Sequence, residues 1–171
     1  HREASPFLRS HRRRLRVERN APYPLWRLDD RTLVAITGMG KGPADAALTW
    51  LIEHDLAPTC VISAGFCGSL TLGLVSGGLY EPSEVIRNDG TLVWRQISPR
   101  NDQKLLRLVS VDQPIVSRGK RQALHVRSGA HLVDMESATL AELCKLHAID
   151  FRTVRVVSDD LTTELPEDLL A

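Results

Sequence analysis

The chain has 171 residues, 43% of them hydrophobic and 25% charged, with a formal net charge of +1. That length suits one domain with a substantial core, and the near-neutral balance argues against a dedicated nucleic-acid or membrane-surface binder. Three cysteines with no CxxC pair argue against a disulfide framework or a zinc site. No apolar run reaches the ~18 residues that span a bilayer, and no signal-peptide pattern opens the chain, so the expected location is the cytoplasm.

Taken in order, Glu3 to about Val17 reads as a helix with Phe7, Leu8 and Leu15 as buried contacts. Seven arginines fall within the first nineteen residues, but no aromatics are interleaved for base stacking, so the tract reads as a solvated helix face. Pro22 and Pro24 break the helix. Trp26-Arg27-Leu28 and Arg31 to Ile36 flank an Asp29-Asp30 turn and predict a hairpin. A Gly-rich turn, Thr37 to Pro43, then leads into a helix to about His54, with Ala44, Ala47, Leu48 and Leu51 on one face.

Thr59 to Ala64 is short, apolar and β-branched, as a buried strand should be, and Gly65-Phe66-Cys67-Gly68-Ser69-Leu70 reads as a second Gly-rich turn. Strands are predicted over Leu79–Ile86, Thr91–Trp94 and Leu105–Val111, with Ile115-Val116 as a continuation. A short helix is expected over Gly119–Arg127, a strand over His131–Val133, a helix over Glu136–His147 and a strand over Phe151–Val157. Alternation of strands and helices from residue 33 onward predicts an α/β fold.

Several chemistries are disfavoured. Lys41 is followed by Gly42 rather than a hydroxyl residue, and the GxGxG spacing differs from GxGxxG, so neither a P-loop nor a dinucleotide fingerprint is present. No GxSxG elbow occurs, and none of the six histidines makes an i, i+4 metal pair. No metal and no cofactor is implied. What remains is a pair of carboxylates at the ends of apolar runs: Glu136, where a strand should become a helix, and Asp159, at the exit of a β-branched strand. In open α/β sheets the crevice at the carboxyl ends of strands binds ligands.

Four segments carry a resemblance: Gly38 to Gly42 with Ala44, Ala46 and Ala47; Ser63 to Leu70; Asp134-Met135-Glu136-Ser137-Ala138; and Val154 to Asp159. In this order they resemble the nucleoside phosphorylase and nucleosidase superfamily, most closely its methylthioadenosine/adenosylhomocysteine nucleosidase branch. The resemblance implies a single domain over 1–171, incomplete at its ends. The implied fold is three-layered, phosphorylase/hydrolase-like, with a central mixed twisted sheet flanked by helices. It also implies roles. Met135 and Glu136 would hold the ribose, the carboxylate accepting from the 2′ and 3′ hydroxyls. Asp159 would protonate the purine as the glycosidic bond breaks, with Ser158 and Arg155 supporting it. Glu3 would activate water, its supporting strand lying ahead of His1. Gly65, Phe66 and Ile115 would line the substrate pocket. For each acid a plain alternative stands beside the role: Glu136 serving the helix dipole, Asp159 capping a turn, Glu3 a surface residue.

The chain also departs from the family. Phosphorylases hold phosphate with an arginine and a serine around the turn where this chain has Ser63 and Phe66, and Phe66 supplies no donor, so hydrolysis is favoured over phosphorolysis. Asp112-Gln113-Pro114-Ile115-Val116 lacks the base-stacking aromatic. The expected activity is hydrolysis of the N-glycosidic bond of a purine nucleoside, a methylthioadenosine/adenosylhomocysteine-like or other 5′-modified adenosine, releasing adenine. The alternatives are a purine nucleoside phosphorylase, including the adenosylhopane type, and a nucleoside-binding homologue that has lost turnover. The expected partners are a small-molecule nucleoside and further copies of the chain in a homodimer or larger homo-oligomer, with no nucleic acid and no membrane span.

Overall fold

In the computed structural model residues 5–11, 15–18, 20–97 and 105–162 are described. The chain divides into two units, His1–Pro58 and Thr59–Ala171. In the first, helix α1 covers Ser5–Ser10, and strands β1 (Arg16–Val17), β2 (Leu25–Arg27) and β3 (Leu33–Ala35) form an antiparallel sheet in that order. The hairpin around Asp29-Asp30 is as expected, with Trp26 opposite Val34. The long helix to Val17 is not. Val17 is β-branched and pairs with Trp26, and its ladder places it in a strand.

Helix α2 runs Lys41–Glu53 and buries Ala44, Ala47, Leu48 and Leu51 as one face. Its N-cap is Gly40 at φ 95°, a backbone that a side chain would strain. Tyr23 anchors the helix to its own unit, donating to the Ala47 carbonyl at 2.9 Å and meeting Trp50 edge-on.

The second unit is built on seven strands: β4 (Cys60–Ser69), β5 (Leu79–Tyr80), β6 (Glu84–Arg87), β7 (Leu92–Arg95), β8 (Arg107–Ser110), β9 (Leu132–Asp134) and β10 (Asp150–Asp159). Their order is β5-β10-β4-β9-β8-β6-β7. The sheet is mixed, as expected: β10 lies parallel to β4 and β9 parallel to β8, whereas β9 runs antiparallel to β4. The carboxyl ends of β9 and β10 therefore point in opposite directions. The sheet also curls. Five strand spacings separate β10 from β7, ~24 Å if flat, yet the rings of Phe151 and Trp94 meet with centroids 5.5 Å apart.

Two predicted boundaries move for physical reasons. Gly65 to Ser69 is strand rather than turn, paired with β10 and β9, and at Gly68 the missing side chain lets Asp159 and Val133 approach the backbone closely. The expected strand over Leu79–Ile86 breaks into β5 and β6 around Pro82, which offers no N–H to a ladder. Ile115 and Val116 lie in the loop after β8 rather than in a strand. Helix α3 (Arg118–Ser128) is capped by Ser117, and helix α4 (Ser137–Leu146) packs on β10 and on β6 and β7. A core of Leu70, Ile86, Val109, Val111, Leu124, Ala130 and Val133 joins α3 to the sheet, and Ile115 and Met135 pack against it. Among the described residues no helix is long and apolar enough to cross a membrane.

Candidate functional site

The site is organised by one row of residues across three strands. Asp159 of β10 is in register with Gly68 of β4, and Gly68 with Val133 of β9. Two strand spacings amount to roughly 10 Å, so the end of β10 lies close to the strand that leads through Asp134 to Met135 and Glu136. Gly68 makes this fit possible without displacement: a Cβ on it would come within 2.9 Å of Asp159 Oδ2 and 3.1 Å of Val133 Cγ1.

Beside Val133, Asp134 is buried and forms an ion pair with Arg155, whose side chain is only 2% exposed. Arg155 donates to Asp134 Oδ2 from Nε and Nη2, to the Ser63 carbonyl and the Val154 carbonyl from Nη1, and to the Ser63 and Ser137 hydroxyls from Nη2. The other carboxylate oxygen, Asp134 Oδ1, accepts from Ser110 Oγ at 2.5 Å. A buried charge pair is tolerable only when its remaining donors and acceptors are met in this way.

The same cluster caps α4. The Ser137 amide donates to Asp134 Oδ2 at 3.1 Å and the Ala138 amide to Ser110 Oγ at 2.9 Å. Glu136 occupies the N-cap position without capping the helix itself; its Oε2 accepts from the Met135 amide at 3.3 Å. Asp134 thus takes the capping duty that Glu136 would otherwise perform.

Both oxygens of Asp159 are engaged. Oδ1 accepts from Ser158 Oγ at 2.5 Å, a hydroxyl also within reach of the Cys67 carbonyl, and Oδ2 meets Arg121 Nη2 at 2.5 Å. Arg155 was the expected arginine for this acid; the structure gives Arg155 to Asp134 and Arg121 to Asp159. Four residues of strand separate positions 155 and 159 by ~13 Å, whereas Asp134 lies across the sheet within direct reach. Cys67, between the two ion pairs, has its thiol pushed up to about 12 by burial and by the carboxylates of Asp134 and Asp159, against the pull of Arg155. It is no nucleophile.

Of the other expected residues, Gly65 and Phe66 lie in β4, opposite Arg155 and Val156 of β10, and Phe66 is 46% exposed. Ile115 and Met135 share one apolar cluster. Glu3 lies outside the described residues.

The family model of the phosphorylase superfamily matches residues 19–101 and 106–170. The chain belongs to the phosphorylase superfamily. No curated protein matches it in sequence. Among solved structures this superfamily member is similar to a mutant nucleosidase (MTAN) of Helicobacter pylori with 5′-methylthioadenosine in its active site, at 18% identity and a TM-score of 0.76, covering 92% of this chain and 81% of that one. It is similar to the 5′-methylthioadenosine/S-adenosylhomocysteine nucleosidase of Neisseria meningitidis in complex with methylthio-immucillin-A, at 21% identity and a TM-score of 0.72, covering 91% and 82%. The futalosine hydrolase of Helicobacter pylori gives 18% identity, a TM-score of 0.76 and coverage of 92% and 80%.

Sequence reasoning missed Arg121, Gly68 and the pairing of Asp134. An acid and an arginine each set inside an apolar, β-branched run, Val133-Asp134-Met135 and Val154-Arg155-Val156, are a readable sign of a buried pair. Arg121 has no such sign, standing in a helix with Arg118, Lys120 and Arg127.

Proposed function

We propose that the protein is a nucleosidase, hydrolysing the N-glycosidic bond of a purine nucleoside with a modified 5′ position and releasing adenine. Glu136 and Met135 hold the ribose, Asp159 supplies a proton to the purine N7, and Gly65, Phe66 and Ile115 line the pocket. Glu3, a residue of the first nineteen, takes the proton of the attacking water. As C1′–N9 breaks, the bond electrons leave with the purine, the Asp159 proton joins N7, and the water oxygen bonds C1′ while its proton passes to Glu3. The ribosyl ring passes through an oxocarbenium-like state, as in glycoside cleavage generally.

The observation that supports this reading is the row Asp159–Gly68–Val133, which sets Asp159 two strands from β9, the strand directly followed by Met135 and Glu136. Asp134, rather than Glu136, accepts from the first amide of α4, which is compatible with a ribose-binding role for Glu136. Hydrolysis is favoured over phosphorolysis because Ser63 is committed to Arg155 and Phe66 offers no donor to an anion. The homo-oligomer and the cytoplasmic location are part of the same proposal.

The deciding assay incubates the protein with methylthioadenosine, adenosylhomocysteine, futalosine and inosine, with and without phosphate. Free base without phosphate is the expected result. Base appearing only with phosphate would make the enzyme a phosphorylase, and calorimetric adenine binding without any cleavage would make it a binding protein.

A further inference from the structure

We infer that Arg121 is a positioning residue of this site, one that holds the Asp159 carboxylate and the loop carrying Ile115 as a single piece. The inference rests on the proposed nucleosidase reading.

Helix α3 is strongly polar and buries only Arg121 and Leu124. Its neighbours Arg118, Lys120 and Arg127 all face solvent, whereas Arg121 is 1% exposed. A buried guanidinium is costly unless each arm finds a partner, and a helix needing only a core contact would use a second leucine. Arg121 spreads its three nitrogens over three points instead. Nε donates to the Ile115 carbonyl at 2.8 Å, Nη1 donates to the Asp160 carbonyl at 3.0 Å, and Nη2 lies 2.5 Å from Asp159 Oδ2. The Nη2 contact is a charge contact rather than an aligned hydrogen bond.

The fork therefore joins the loop after β8 to the last residues of β10. Gly68 clears the space on one side of the carboxylate and Ser158 grips its other oxygen, so Asp159 is held from three directions. Asp159 faces the guanidinium as a carboxylate; the proton it passes to the purine N7 is one taken up from water with the nucleoside in place. Once that proton has left, the group is back in the arrangement that Ser158 and Arg121 already hold. A fixed fork is also why lysine is a poor substitute, since a point charge cannot span the three acceptors.

The test compares wild type with Arg121→Met, Arg121→Lys and Arg121→Ala, using the nucleoside of the panel that the wild type cleaves, with Arg118→Met as a control on the exposed face of the same helix. Expected are a kcat lowered about 10²-fold in R121M, within the span of positioned proton transfer, an intermediate kcat in R121K, adenine affinity weakened in calorimetry, and partial rescue of R121A by added guanidinium ion. A purely structural arginine would lower the melting temperature and leave kcat below the melt unchanged. If R121M does not fold, R121K decides: full kcat with lysine overturns the inference, as does guanidinium without effect on R121A. A wild type that cleaves nothing overturns the nucleosidase reading and this inference with it, whereas an active wild type matched by R121M overturns the inference alone.

Discussion

Arg155 and Asp134 meet through two nitrogens on one oxygen, Nε at 3.1 Å and Nη2 at 2.8 Å, and the pair ties β10 to the end of β9 and to the first turn of α4. Replacing Arg155 by methionine strands Asp134 as a buried charge. Breaking such a pair costs about 3–5 kcal/mol, to be read as a lowered urea midpoint with unchanged slope. By contrast Arg87 and Glu142 form an ion pair with side chains 51% and 33% exposed, and Arg87→Ala should cost less than ~1 kcal/mol.

Gly68→Ala tests how closely Asp159 is fitted. The new methyl comes within 2.9 Å of Oδ2 and 3.1 Å of Val133 Cγ1, so the carboxylate must swing aside. The expected outcome is a stability loss of about 1–3 kcal/mol, the range of overpacking, with turnover reduced by at least about tenfold. Steady-state kinetics beside a melting curve separate the two effects; unchanged turnover would mean that the carboxylate position is unimportant.

The cysteines differ in reactivity for a reason visible in their surroundings. Cys60 is exposed, while burial pushes the Cys67 and Cys144 thiols up to about 12. Thiolate is the reactive form, so a disulfide reagent at mildly alkaline pH should titrate one thiol in the native protein and three after denaturation. Rapid reaction of a second native thiol would contradict the burial of β4 and α4.

Acid should weaken the sheet at Glu84. Burial works against its ionisation, but Arg107 and Arg95 outweigh that and hold the carboxyl below the usual range. An unfolded glutamate takes up its proton near pH ~4.3. The stabilisation is therefore complete above that value and is lost as pH falls through the lower folded value. Urea midpoints of wild type and Glu84→Gln measured down to about pH 3 should converge in acid; parallel curves would remove Glu84 from the acid response.

Much of this architecture was legible because local and tertiary preferences agree. The β-branched run from Phe151 to Val157 became the core of β10, and the apolar spacing of Ala44, Ala47, Leu48 and Leu51 became the buried face of α2. Where they disagreed, the reading failed. Gly65 and Gly68 look like turn residues, yet both lie within β4, where Asp159 and Val133 crowd the backbone at Gly68, and Val17 followed its ladder rather than the helical pattern that the sequence suggested for it. Of the candidate site, the acids Glu136 and Asp159 stand out in the sequence at the ends of apolar runs. Arg121 does not, because a buried arginine in a basic helix differs from its neighbours only in three dimensions, and neither does the reversal of β9 against β4, since strand direction within a sheet leaves no mark in local pattern.

The edge-on contact between Trp94 and Phe151 spans the curl of the large sheet. Trp94 is the single tryptophan of its unit, Trp26 and Trp50 both belonging to the other. With those two exchanged for phenylalanine, the indole emission becomes a native optical gauge of whether β7 and β10 have parted, requiring no attached dye.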